Sequence, residues 1–196
     1  MRLPSFFRKI NRMLAVLAAV LMVSLGGSAA LADDSAVTPE SSGDTPSGNP
    51  VPRWGIMRSN KIYTRAGPSK DHKILWAYRV KGLPVQIISE TREWRLICDP
   101  DGNTGWVAAS LLSGKTNALT PSDRKLELKA APKPEARTKA IIRPRVLVSL
   151  DKCKDGWCKI GVGSQRGWVH KDALWGAQTK PVCERPDPLS IRSGKL

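Results

Sequence analysis

Four cysteines, two histidines and seven tryptophans are the residues of this chain whose types and spacing could do chemistry. Cys153 and Cys158 flank Lys154-Asp155-Gly156-Trp157, and Asp-Gly is a strong signal for a two-residue hairpin turn. That turn sets Lys154 opposite Trp157 as the closing pair and Cys153 opposite Cys158 in the next, non-hydrogen-bonded pair. Their Cα atoms then lie about 4.5 Å apart, within reach of a disulfide. The competing reading is a metal site built on both thiolates. It needs two further ligands, and only His170 is near in sequence. Val146, Val148 and Leu150 share one face of the preceding strand, and Cys153 has the opposite parity, so a bulge between Leu150 and Cys153 is expected.

No enzyme signature accompanies these residues. Gly-x-Ser-x-Gly, His-Glu-x-x-His and a phosphate-cradling glycine loop are all missing. A Cys–His nucleophile would have to combine Cys98 with His72 or His170, and Cys98 has a better explanation as half of a disulfide. Asp99 and Asp101 read as turn formers. The sequence therefore predicts a protein that is not an enzyme, with no catalytic residues, no metal and no cofactor.

The other candidate chemistry is recognition. Trp76 and Tyr78 share strand parity and project from one face, and Arg65, Arg79, Arg92, Arg95 and Lys81 lie around them in sequence. Rings beside cations stack on sugar or peptide planes and pair with carboxylates. Tyr63, Arg65, Gly67, Trp76, Tyr78, Arg79, Trp94 and Arg95 form the expected ligand-binding set. Gly67, in Arg65-Ala66-Gly67-Pro68, is expected to take positive φ and let a ligand approach the backbone. The competing reading gives the tryptophans a packing role between modules. Trp106 and Trp168, each within Gly-Trp-Val, read as barrel core or rim.

The elements that must position these residues come in two copies. Residues 1–32 read as a secretory signal peptide: a basic start, the apolar run Met13–Leu25 and Ala30-Leu31-Ala32, with cleavage after Ala32. Residues 33–52 are polar, acidic and rich in Ser, Gly and Pro, the composition of a disordered tether. In residues 53–114, Leu83-Pro84-Val85 precedes Trp94 and then Gly105-Trp106-Val107 and Leu112. In residues 124–176, Val146-Leu147-Val148, Trp157, Gly167-Trp168-Val169 and Leu174 follow at the same spacing. This is a tandem duplication, with a linker at 115–123 and an irregular tail at 177–196. Short strands are predicted at Gly55–Ser59, Ile62–Arg65, Ile74–Arg79, Pro84–Ser89, Glu93–Cys98 and Thr104–Ala108. In the second copy they are Lys125–Lys129, Ala140–Ile142, Val146–Leu150, Trp157–Val162 and Arg166–Val169. Single 3₁₀ turns are expected at Ser110–Leu112 and Asp172–Leu174. Across the repeat, Glu90 and Arg95 stand where the second copy has Cys153 and Cys158, so an opposite-charge pair replaces the disulfide.

The wording Arg-Ala-Gly-Pro-Ser, Leu-Pro-Val, Glu-Trp-Arg, Asp-Pro-Asp-Gly and Gly-Trp-Val in the first copy resembles the bacterial SH3-like domain family. The second copy is more divergent, with Lys129-Ala130-Ala131-Pro132 lacking the glycine. The resemblance implies an all-β fold of two tandem small SH3-like, partly open barrels. It also implies binding of cell-wall peptidoglycan or peptides. Ile97 is expected to face the barrel interior and Cys98 outward, where it could pair with Cys183 of the tail and pin the tail across the first module. Two free thiols or an intermolecular bridge are the competing readings.

The whole chain carries 32 Lys and Arg against 17 Asp and Glu. Export makes nucleic acid an unsuitable partner and leaves peptidoglycan or an acidic envelope protein. The expected location is periplasmic or secreted, without a transmembrane anchor. The expected function is a non-catalytic wall-binding module. An envelope adaptor without glycan affinity, or an accessory or remnant of a wall hydrolase, are the alternatives. The first module is expected to carry most of the affinity.

Overall fold

In the computed structural model, residues 45–114 and 117–184 are described, all within one compact unit. The signal peptide, its cleavage site and residues 33–44 of the expected tether lie outside them, as does the tail beyond Glu184.

The fold is all-β, in two sheets. The first contains β1 (Arg53–Met57), β2 (Ile62–Arg65), β3 (Ile74–Tyr78), β4 (Pro84–Glu90), β5 (Trp94–Cys98), β6 (Thr104–Ala108) and β7 (Leu112–Ser113), in the order β3-β2-β6-β5-β4-β1-β7. The second contains β8 (Asn117–Leu119), β9 (Leu126–Lys129), β10 (Thr138–Ile142), β11 (Leu147–Lys154), β12 (Trp157–Val162) and β13 (Gln165–His170), in the order β10-β9-β13-β12-β11-β8. Single 3₁₀ turns at Ala109–Leu111 and Lys171–Ala173 close each copy. The two sheets are partly open small barrels with the same wiring.

Period-two alternation explains the cores. Ile62, Val85, Ile87, Ile97 and Val107 fill the first barrel with Met57 and Leu112. Leu126, Leu128, Val148, Ile160 and Val169 fill the second with Ile142 and Leu174. The expected bulge occurs as a register shift between Leu150 and Lys152. Its counterpart lies between Ile87 and Ser89. The Asp155-Gly156 turn takes positive φ at both residues, and Cys153 lies opposite Cys158. The two are disulfide-bonded.

At the corresponding place in the first module, Glu90 lies opposite Arg95. Arg95 Nε is 2.9 Å from Glu90 Oε2, and Arg53 donates to the same oxygen, with the Glu90 side chain only 1% exposed. Burial alone would push the Glu90 carboxyl up, but donation from Ser47 and Arg53 outweighs it and holds the carboxyl below the ordinary Glu range. A carboxylate with a lowered folded-state pKa contributes stability above the unfolded-state value and loses it as pH falls through the folded-state value. Glu90→Gln is expected to cost about 2 kcal/mol at pH 7, as for a lost charged hydrogen bond. In urea titrations the gap to the native chain should close as the pH is lowered below the ordinary carboxylate range; a gap constant down to strong acid would refute it.

Three segments depart from the sequence reading. Residues 45–52 are not free tether, because the Ser47 amide donates to Glu90 Oε1 and Thr45 Oγ1 donates to the Asn49 carbonyl. Asn117–Leu119, expected in the linker, is the strand that pairs with β11. It occupies the place that β1 holds beside β4. The tail returns over the first module. Trp175 pairs with Leu119, and Trp175 Nε1 donates to the Pro84 carbonyl at 2.8 Å. The Val182 and Cys183 amides both donate to Oε1 of the buried Gln86. Cys98 and Cys183 are disulfide-bonded.

The tail covers a second apolar layer. Ile88, Leu96, Cys98 and Trp106 form a buried cluster on the outer face of the first sheet, with Trp94, Trp175 and Cys183 packed against it. The strand register puts Asp151, Lys159, Gly161 and Trp168 at the matching places in the second module. That face is polar, and Asp151 meets Arg166 at 3.3 Å. A polar face needs no cover, whereas an apolar one does.

The modules are also joined through Arg145. It has φ 55°, where the first module has Gly82 at φ 81°. A side chain in this region costs roughly 1–2 kcal/mol. The Arg145 guanidinium reaches Asp101 of the first module, an exposed pair contributing at most about 1 kcal/mol. Arg145→Gly should therefore be more stable than Arg145→Ala by about 1 kcal/mol, since both lose the pair and only glycine relieves the backbone. Thermal denaturation of the two variants tests the ordering, and equal stability would refute it.

Candidate functional site

The eight residues of the expected ligand set do not converge on one place. Arg65, Trp76 and Tyr78 come together at the β2–β3 end of the first sheet. Arg65 and Trp76, with Ala66, Leu75, Asn103, Thr104 and Gly105, line a cavity of about 320 Å³. The Trp76 and Tyr78 rings meet edge to face at 6.2 Å. The Tyr78 hydroxyl donates to Asp99 Oδ2 at 2.8 Å. Burial pushes the Tyr78 hydroxyl pKa up, and the Asp99 carboxylate adds to this, so Tyr78 is a fixed donor that supports the Trp76 wall. Asp99 is buried and also accepts from the Asp101 and Asn103 amides, which shapes the turn beside the cavity.

Arg65 Nη1 donates to the carbonyls of Lys70 and His72 at 2.6 and 2.7 Å. This fastens the loop between β2 and β3 and leaves the other guanidinium nitrogens without a partner among the described residues. Tyr63 is exposed on the outward side of β2, with Lys61 Nζ 5.4 Å from its ring centre. Arg79 is exposed just beyond β3.

Gly67 does not have the backbone conformation expected of it. Its φ is not positive, it is buried, and a Cβ there would lie 2.3 Å from the His72 ring. The ring of the exposed His72 lies over it. His72 Nδ1 is 3.0 Å from Ser69 Oγ, a contact within four residues that strand patterning does not reveal. Trp94 and Arg95 lie elsewhere: Trp94 packs on the outer apolar layer and Arg95 is committed to Glu90.

The strand register identifies the second module's counterparts. Arg65 and Lys129 both lie opposite the Gly-Trp-Val tryptophan. Tyr63, Trp76 and Tyr78 therefore correspond to Glu127, Ala140 and Ile142. The aromatic wall is absent there. Lys129 is paired with Glu127, and the hydrogen bond from Lys129 holds the Glu127 carboxyl below its usual range. The cation that the second module neutralises internally has no acidic partner in the first among the described residues.

A second cavity, of about 220 Å³, lies between the modules and includes Asp101, Arg124, Arg145, Asp172 and Trp175 in its lining. Sequence reasoning missed it because it forms only when linker, tail and both modules meet. Its arginines are paired, Arg145 with Asp101 and Arg124 with Asp123 at 3.4 Å, so it offers an anion less than the Arg65 cavity does. All four cysteines are in disulfides. Among the described residues, no three His, Cys, Asp or Glu side chains cluster so as to hold a metal ion.

A pair of small, partly open β-barrels in tandem defines a fold class rather than a particular protein. The family model "Bacterial SH3 domain" matches residues 59–114 and 125–176, together more than half of the chain, and the chain belongs to that family. No curated protein matches it. Among solved structures, it is similar to NlpC1 from Trichomonas vaginalis, at 12% identity and TM-score 0.31, over 67% of this chain and 49% of that one. It is also similar to NlpC2 from the same organism, at 13% identity and TM-score 0.29, over 66% and 48%. The chain spans about half the length of either.

Proposed function

We propose that this protein is a non-catalytic module of the bacterial envelope whose first SH3 domain binds an acidic ligand, with peptidoglycan the leading candidate. The observation that carries this reading is the Arg65 guanidinium beside the Trp76 wall, set against the Lys129–Glu127 pair that closes the same place in the second domain. An aromatic wall with an unneutralised, bidentate-capable cation suits a flat polar unit bearing a carboxylate. Peptidoglycan presents both amino sugars and acidic stem peptides. Export with cleavage after Ala32 belongs to the same reading, and N-terminal sequencing of the exported chain tests it.

The functional test is sedimentation of the whole chain with purified peptidoglycan sacculi over a salt series. Trp76→Ala is expected to weaken binding about tenfold, since loss of an aromatic contact removes 0.5–1.5 kcal/mol beyond its buried area. Lys129→Ala should leave binding close to native. Equal loss in both variants, or native affinity in Trp76→Ala, would place the site elsewhere. Binding that vanishes at moderate salt in the native chain would mean that charge alone holds it. The adaptor reading takes over if sacculi do not sediment the protein.

A further inference from the structure

We infer that the free edge of β3 is a docking strand for an extended acidic peptide, which would add to the first sheet beside Ile74–Tyr78. The edge and the cavity share Arg65, Leu75 and Trp76, whereas Ile74 and Val80 do not line the cavity, so substitutions at these two touch the edge alone.

Among the described residues, β3 ends its sheet and has β2 as its single neighbour. An edge strand presents a row of unpaired backbone donors and acceptors, and soluble proteins commonly blunt such edges with charge, proline or a cover. The sequence Ile-Leu-Trp-Ala-Tyr of β3 contains no charge and no proline. Four of the six large apolar side chains left exposed among the described residues lie on or beside it: Tyr63, Ile74, Leu75 and Val80, between 41% and 47% exposed. The matching edge of the second module also exposes an apolar side chain, Ile141, but it carries charge. β10 carries Lys139, whose Nζ donates to the Arg166 carbonyl, and its Thr138 is bonded to Glu127.

Charge selects the occupant. Lys61, Arg65, Lys70, Lys73, Arg79 and Lys81 surround the edge in sequence, and Asp71 is the one acid between residues 61 and 81. A second copy of the chain pairing through β3 would bring two such basic borders together. An acidic strand would instead set its backbone on the open edge, its apolar side chains on Ile74 and Tyr63, and its carboxylates on the flanking cations. Addition of this kind takes affinity from main-chain hydrogen bonds and specificity from alternate side chains.

The test is a fluorescence anisotropy titration of the whole chain with a labelled octapeptide alternating Glu and Val. A Lys-Val octapeptide and a proline-interrupted Glu-Val peptide serve as controls. The acidic peptide should bind and both controls should fail. Ile74→Glu, which puts a charge on the edge at an exposed position and repels an acidic strand, should weaken binding about tenfold or more, with near-ultraviolet circular dichroism checking that the tryptophan environment is unchanged. Val80→Glu should weaken it through like charge. A flat titration with the native chain, native affinity in Ile74→Glu, or equal binding of the proline-interrupted peptide would each overturn the inference. So would concentration-dependent dimerisation abolished by Ile74→Glu. Sacculus binding separates the two proposals: if the peptide binds and sacculi do not, the edge stands and the cavity reading falls, and the reverse outcome does the opposite.

Discussion

Replacing both Cys98 and Cys183 by serine is expected to lower stability by about 4–5 kcal/mol, whereas serine at both Cys153 and Cys158 should cost about 2 kcal/mol, from the loop-length dependence of crosslink entropy. The first bridge closes a loop of 85 residues and the second a loop of 5. The long bridge also does something the entropy does not count. It holds the segment Trp175–Cys183 over Ile88, Leu96 and Trp106, so its loss lets water reach an apolar layer. The Gln86 side chain still binds the Val182 and Cys183 amides, and Trp175 still reaches Pro84. The tail should therefore loosen rather than leave. Urea titration of the two double variants gives the ordering. Equal costs, or the larger cost at Cys153 and Cys158, would mean that the tail does not seal the first module.

What was legible in the sequence was local. Asp155-Gly156 fixed the register that sets Cys153 against Cys158, and the parity mismatch at Leu150 announced the bulge. The repeat offset carried that register back to Glu90 and Arg95. Each inference needed a few neighbouring residues and one rule of pairing. The strand parity of Cys98 against Ile97 showed an outward thiol, and the tail cysteine offered it a partner. The functional set fared differently. Sequence nearness grouped Trp94 and Arg95 with Arg65 and Trp76, but the sheet order sends the first two to the outer layer and to Glu90. Gly67 looked like a place for a ligand because nothing in the sequence says that His72 lies on it. Asn117–Leu119 looked like linker because three residues in a polar stretch carry no alternation, and only the vacant edge of β11 makes them a strand.

The asymmetry between the outer faces sets the last expectation. Trp106 and Trp168 occupy the same position in Gly-Trp-Val, and sequence alone assigns them the same role. In the structure Trp106 is 1% exposed, beneath the tail and against Ile88 and Leu96. Trp168 is partly exposed, opposite Lys159 and Lys129. Trp106→Ala should cost about 3–5 kcal/mol, the range for removing a buried large aromatic. Trp168→Ala should cost about 1 kcal/mol, as for a side chain that leaves no enclosed cavity. Denaturant unfolding of the two variants measures the difference. Near-equal costs would mean that the second module's face is also covered, by a segment outside the described residues or by another copy of the chain. An outcome with Trp168 the more costly would reverse the assignment of which module holds the second apolar layer. The physical reason for the expected order is a pair of substitutions across the repeat, Ile88 to Asp151 and Leu96 to Lys159. They turn one face of a duplicated sheet from a surface that must be buried into one that water can keep.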